Sequence, residues 1–264
     1  MALLEVSGVQ RRFGGLVALD RVSFAVEPSC IQGIIGPNGA GKTTLFNIIS
    51  GVLPPTAGTV TLDGRRLSGL RPYQVAARGV ARTFQSVSLF GRMTARENVL
   101  LGLHVRSRAT LAGALLRLPG QRREEARLRA QADELLAFVG MGGQADARAD
   151  ALPFGRRRMV ELARALAAQP RLLLLDEPAS GLNTRETQEL ADLIRRIRDR
   201  GTTVLLVEHD MSLVMDVCDR VLVLHFGVPI AEGAPADVQG DPRVMAVYLG
   251  ESTPSDGEEG SRHA

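Results

Sequence analysis

Apolar and polar positions divide this chain into strand-sized and helix-sized segments. Residues 3–6, 22–26 and 31–35 carry apolar β patterns, and Gly14-Gly15 breaks the first pair. The breaker cluster at residues 53–58 leads into a strand over 59–64, and the short run Val80-Ala81-Arg82-Thr83-Phe84 precedes Gln85. The runs 172–175 and 204–207 are continuously apolar, the mark of central parallel strands buried on both faces. Residues 220–224 form a further strand. Helical patterns cover 44–49, begin again from residue 86, and recur in 121–139, where Leu128, Ala132, Leu135 and Val139 share one face. Others lie at 156–168, at 184–200 before Gly201, and from Asp241-Pro242 to Leu249. Thr94 and Glu97 have capping-box spacing, and Asn183 suits an N-cap. The order predicts an α/β fold: a mostly parallel sheet flanked by helices, an N-terminal antiparallel β part, and a helical subdomain (86–155) inserted in one domain of residues 1–250. The short apolar stretch at 110–118 should be helical and end at Pro119-Gly120, the leucines of 106–120 should pack on a neighbour, and the acidic tail, 251–264, should be disordered.

Between the strand at 31–35 and the helix at 44–49 stands Gly36-Pro37-Asn38-Gly39-Ala40-Gly41-Lys42-Thr43-Thr44, which reads G-x-x-x-x-G-K-T. Glycines let such a loop curl so that backbone N–H groups point at phosphate oxygens, and the helix N-terminus adds to the attraction. Lys42 can reach the β- and γ-phosphates, and the Thr43 hydroxyl can coordinate Mg²⁺. Lys42 is the only lysine in the chain; every other strong base is arginine. A phosphate cradle rejects the planar guanidinium and accepts the compact ammonium.

The run at 172–175 ends in Asp176 and Glu177. Sites in parallel sheets lie at the carboxyl ends of strands, so these acids should emerge beside the glycine loop. Asp176 would hold Mg²⁺ and Glu177 would deprotonate a water. The strand at 204–207 delivers His209 to the same edge. Phe13, just before Gly14-Gly15, reads equally as a core residue or as a platform for a purine. Arg156, Arg157 and Arg158 open a helix; a solvated first turn is the simple reading, although positive charge there opposes the helix dipole and calls for an anionic neighbour.

Composition narrows the classes. With 264 residues, 45% hydrophobic, the chain suits a globular core. Aromatics make up 4% with no Trp, and the net charge is +3, so nucleic acid is not expected as a partner. Cys30 and Cys218 form no C-x-x-C pair and read as buried thiols in a reducing compartment. The first residues lack a signal peptide's pattern, and no segment approaches the ~20 apolar residues of a membrane span. Any work at a membrane would be through a partner.

Together these residues resemble the ATPases of ABC transporters over roughly residues 3–250. Phe13 matches the family's adenine-stacking aromatic and residues 36–44 its Walker A loop. Gln85 matches the Q-loop, which senses Mg²⁺ and the membrane partner. Leu152, Pro153, Phe154, Gly155 and Arg156 occupy the signature position, Asp176-Glu177 is Walker B, residues 179–183 are the D-loop, and His209 is the switch histidine at the γ-phosphate. The resemblance implies a P-loop NTPase core with ATP and Mg²⁺ as cofactors. Arg12-Phe13-Gly14-Gly15-Leu16, the run Ala81 to Gln85, Glu208-His209-Asp210-Met211 and Tyr248-Leu249-Gly250-Glu251 are similar to importers for branched-chain amino acids, and the stretch near 106–120 to the longer ATPase of that system. Such a resemblance implies a head-to-tail dimer with a second ATPase, two permease subunits, a periplasmic binding protein acting through them, and a peripheral place on the cytoplasmic face of the inner membrane. The signature departs from L-S-G-G-Q: Pro153 lacks the serine hydroxyl, and Arg156 replaces a neutral amide. Other cargo (urea, amides, a lipid-linked glycan), a soluble ABC ATPase and a small-molecule kinase are the competing readings.

Overall fold

The computed structural model describes residues 2–83, 87–104 and 119–250. Gln85, most of the 106–120 stretch and the tail lie outside them. Two sheets enclose the first helix. Strands β1 (Leu4–Phe13) and β2 (Leu16–Val26) form an antiparallel hairpin turning at Gly14-Gly15, and β4 (Ala57–Leu62) with β5 (Arg65–Arg66) completes a four-stranded sheet in the order β2-β1-β4-β5. Both hairpin strands exceed the predicted apolar cores. Their outer halves carry polar residues such as Gln10, Arg11 and Arg12, and bulges break their register.

The second sheet has six strands. Its members are β3 (Ile31–Ile35), β6 (Val80–Arg82), β7 (Leu172–Asp176), β8 (Thr203–Val207), β9 (Arg220–His225) and β10 (Val228–Gly233), in the order β10-β9-β3-β8-β7-β6. All pairings are parallel except that of β9 with the edge strand β10. Side chains alternate between faces: Leu173 and Leu175 enter one core, while Leu172 and Leu174 enter the other. Burial on both faces is why the four leucines tolerate no polar position between them.

On one face, helix α1 (Lys42–Ile49) packs Leu45, Phe46, Ile48 and Ile49 into the core shared with the four-stranded sheet, near α2 (Pro72–Ala77). The other face is covered by α5 (Phe154–Ala167), α6 (Thr184–Asp199) and α7 (Met211–Val217). Helices α3 (Ala95–His104) and α4 (Pro119–Phe138) pack against each other and against α5. Short α8 (Pro235–Gln239) and α9 (Pro242–Gly250) close the chain. The helical pattern expected from residue 86 begins only at Ala95; residues 87–94 are turns and extended chain. The capping box is present, with the Thr94 N–H donating to Glu97 Oε2 at 2.8 Å and the Glu97 N–H donating to Thr94 Oγ1 at 3.1 Å. Among the described residues no helix is long and apolar enough to cross a membrane.

Candidate functional site

The glycine loop leaves β3 and enters α1 in a conformation that needs its glycines. Gly41 has φ 99°, and a Cβ there would stand 2.7 Å from the Ala18 carbonyl oxygen. A Cβ at Gly36 would overlap the Leu224 carbonyl. The first helical bond is donated by the Leu45 N–H to the Gly41 carbonyl at 2.9 Å, so the N–H groups of Lys42, Thr43 and Thr44 have no acceptor within the helix. No acid occupies that first turn and no side chain caps it. Lys42 is 8% exposed, and its Nζ donates to the carbonyls of Gly36 at 2.5 Å and Pro37 at 2.9 Å. The ammonium thus holds the loop's own carbonyl oxygens.

Beside the loop is an open cleft of about 360 Å³, lined by residues 38–44, Phe13, residues 16–18, Glu177 and Phe226. Phe13 is half-exposed at the end of β1, with the Arg11 guanidinium 4.5 Å from its ring centroid. The core reading of Phe13 is therefore set aside.

Strand register brings the acids to the same edge. Ile34 of β3 and Asp176 of β7 both lie opposite Val207 of β8, so the three strand ends are level. Asp176 is 6% exposed and its Oδ2 accepts from Arg82 Nη2 at 2.8 Å. Arg82 Nη1 also donates to Asn47 Oδ1 at 2.7 Å and Ser50 Oγ at 2.9 Å, so one guanidinium ties β6, α1 and the acid together. Glu177 turns out of the strand in the left-handed region (φ 46°), its N–H donating to the Val207 carbonyl at 2.9 Å. His209 Nδ1 lies 3.9 Å from Glu177 Oε2 and 3.8 Å from Glu208 Oε2. Glu208 is buried, and its carboxylate accepts from the N–H groups of Ala179 at 2.8 Å and His209 at 3.1 Å. Burial pushes its carboxyl above the ordinary glutamate range against the pull of those donors.

The structure places residues 152–156 apart from that cleft. Leu152 is buried, Pro153 is the N-cap residue of α5, and Phe154 lies over Gly181. Gly155 and Arg156 line a second pocket of about 260 Å³ with Met159, Asn183, Arg185, Glu186 and Glu189. The Glu186 carboxylate lies against Gly155 and also accepts the Asn183 N–H at 3.1 Å. Arginines 156–158 are not a uniformly solvated turn. Arg158 is fully buried and pairs with buried Glu161 at 3.0 Å. The anionic neighbours required at this helix start are Glu161 and Glu186.

Residues 19–180 match the family profile described as ABC transporter. The chain belongs to the ABC transporter family. A second profile, branched-chain amino acid ATP-binding cassette transporter, matches residues 228–253 of this ABC ATPase. The high-affinity branched-chain amino acid transport ATP-binding protein LivG of Salmonella typhimurium is 45% identical over 95% of this chain and 98% of its own. BraF of Pseudomonas aeruginosa, of the same description, is 43% identical over the same shares. Among solved structures, the ADP conformation of the ATP-binding cassette MJ1267 superposes with TM-score 0.83 at 30% identity, covering 95% of this chain and 99% of that one. A dimeric post-hydrolysis state of the cassette MJ0796, bound to ADP and Pi, has TM-score 0.73 at 26% identity and covers 88% and 98%. The fold is thus that of an ABC ATPase cassette, a family that binds ATP and ADP.

Sequence reasoning named Gln85, which lies outside the described residues, and it assigned no role to Arg82, Glu208 or Phe226 in this ABC ATPase. The first two stand inside quoted motifs, three residues before Gln85 and one before His209. Nothing local distinguished Phe226.

Proposed function

We propose that this chain is the ATP-hydrolysing subunit of an importer for branched-chain amino acids. One observation carries the reading: the glycine loop, Asp176-Glu177 and Glu208-His209 leave one edge of a single sheet at level strand ends. The cargo rests on the names borne by LivG and BraF.

In this reading ATP lies in the cleft with its base on Phe13. Its phosphates meet the N–H groups of residues 36–44, and Lys42 exchanges the Gly36 and Pro37 carbonyls for β- and γ-phosphate oxygens. The donor set suits Mg²⁺. A buried carboxylate and a hydroxyl beside phosphate are hard oxygens, and Mg²⁺ commonly uses one or two carboxylates plus substrate phosphates. Thr43, Asp176 and Gln85 would hold it. When bound it would neutralise negative charge on the β- and γ-phosphates. Glu177 accepts the proton of the attacking water, and His209 contacts the γ-phosphate and orients Glu177. Glu208 holds the start of the D-loop through the Ala179 N–H.

The separate position of Leu152, Pro153, Phe154, Gly155 and Arg156 favours a head-to-tail dimer in which they meet the partner ATPase's nucleotide. Residues 86–155 form an insertion within one ATPase domain of residues 1–250. Two permease subunits, with a periplasmic binding protein behind them, hold the ATPase at the cytoplasmic face of the membrane. The test is Glu177→Gln in the assembled transporter. MgATP binding should persist while hydrolysis falls about 10²–10⁴-fold. Near-normal turnover would assign the base elsewhere.

A further inference from the structure

Phe226 is 75% exposed on the wall of the nucleotide cleft, and its backbone has φ 46°. Phe226 and Gly227 are the two central residues of the β9–β10 hairpin, whose turn takes positive φ at both (46° and 77°), and this geometry holds the Phe226 side chain outward at the cleft. The turn that bears it is fixed. The Gly227 N–H donates to the Ala40 carbonyl of the loop at 3.0 Å, and the Gly227 carbonyl accepts the Asp20 N–H of β2 at 2.9 Å. A Cβ on Gly227 would press on the Ala18 carbonyl oxygen at 2.5 Å. The β9–β10 turn is therefore fastened to both walls of the cleft, and the Phe226 backbone cannot move independently of the phosphate loop. Its ring also leans on His225, with centroids 4.3 Å apart and planes tilted by 50°. On the opposite hairpin, Arg11 covers one face of Phe13, which directs a stacked base to the other face.

We propose that Phe226 is a base-binding residue: a second aromatic wall that packs on the purine of ATP and sharpens the preference for purine over pyrimidine nucleotides. The proposal rests on the reading of this cleft as the ATP site and adds to it the determinant of base affinity. Apart from its tilted contact with His225, the ring stands in solvent at the cleft, where a ligand can cover it. A purine offers the larger stacking face, and a phenyl ring gains from it without any hydrogen-bond match.

The chain has no tryptophan, so a single substitution creates an unambiguous reporter. In the full-length chain carrying Phe226→Trp, ATP and ADP should quench the emission, while tripolyphosphate, which lacks a base, should not. Phe226→Leu keeps the bulk and loses the aromatic face. It should raise the Kd for ATP by about 5-fold or more, leave tripolyphosphate binding unchanged and lower the ATP-to-CTP affinity ratio. Phe13→Trp is measured in parallel. Quenching at position 13 but not at 226 overturns the proposal and leaves the cleft reading intact. Quenching at 226 by tripolyphosphate alone also overturns it, because the turn would then respond to phosphate. Silence at both positions removes the base from this cleft, and the proposal falls with the reading beneath it.

Discussion

The buried ion pair on α5 gives the sharpest energetic prediction. Arg158 and Glu161 are 0% and 2% exposed, sit one helical turn apart on α5, and are 3.0 Å apart. Glu161 Oε1 also receives the Ser88 N–H at 3.4 Å, beyond hydrogen-bond ideal, and Arg164 adds a weaker attraction, so Arg158 is its principal counter-group. Arg158→Met removes one charge and leaves the other buried, which costs about 3–5 kcal/mol. For a chain of this size that lowers Tm by about 6–20 °C. Arg158→Met combined with Glu161→Leu removes both charges, and the double variant should recover most of the loss. The pH dependence has a definite sign. Burial outweighs Arg158 and lifts the Glu161 carboxyl above its ordinary range, so the native chain holds that proton more tightly than the unfolded chain. Stability then falls as pH rises through the window above the unfolded value of about 4.3. Without Arg158 the window widens, so the penalty of Arg158→Met should be larger at pH 7 than at pH 5. Urea titrations of the two single variants and the double variant form the assay. Additivity within about 0.5 kcal/mol would refute the reasoning, as would a single-variant cost below about 1 kcal/mol.

Lys42→Arg keeps the charge but must fit a planar fork where a compact ammonium now reaches two carbonyls at 2.5 and 2.9 Å; calorimetry should show weakened ATP binding, and wild-type affinity would refute the geometric argument. Arg156→Ala should slow hydrolysis about 10-fold or more at the partner's nucleotide, the worth of a charge-assisted hydrogen bond, while leaving this chain's own ATP affinity unchanged. Site-resolved turnover with one site disabled reads this, and slowing confined to this chain's own site would reject the trans role.

Much of this architecture was legible because it rests on burial that repeats. The leucines of β7 and the apolar run of β8 had to be central strands, since both their faces meet a core. The glycine loop was legible because so tight a strand-to-helix turn needs glycines at positive φ, as at Gly36, Gly39 and Gly41, and Asn183 because its cap is local: its Oδ1 accepts the Glu186 N–H at 3.0 Å. The misses involve polar groups whose partners are distant or whose burial cancels. Arg82 meets Asp176 across 94 positions of chain, a pairing no window contains. Arg158 was expected in solvent because an arginine in a helix start ordinarily faces water, yet Glu161 accompanies it inward. The outer halves of β1 and β2 were missed because only their inner halves alternate cleanly toward a core. Phe226 gained meaning only when the β9–β10 turn was seen against the loop.

The Arg82–Asp176 pair bears on how the sheet and the first helix are joined. A carboxylate this deep in the fold needs a counter-charge, because a stranded charge in a low-dielectric interior costs several kcal/mol. Here the guanidinium of β6 remains beside it, anchored on α1 through Asn47 and Ser50. One guanidinium therefore ties two neighbouring strands to the first helix, and a substitution at Arg82 would be felt at all three elements at once.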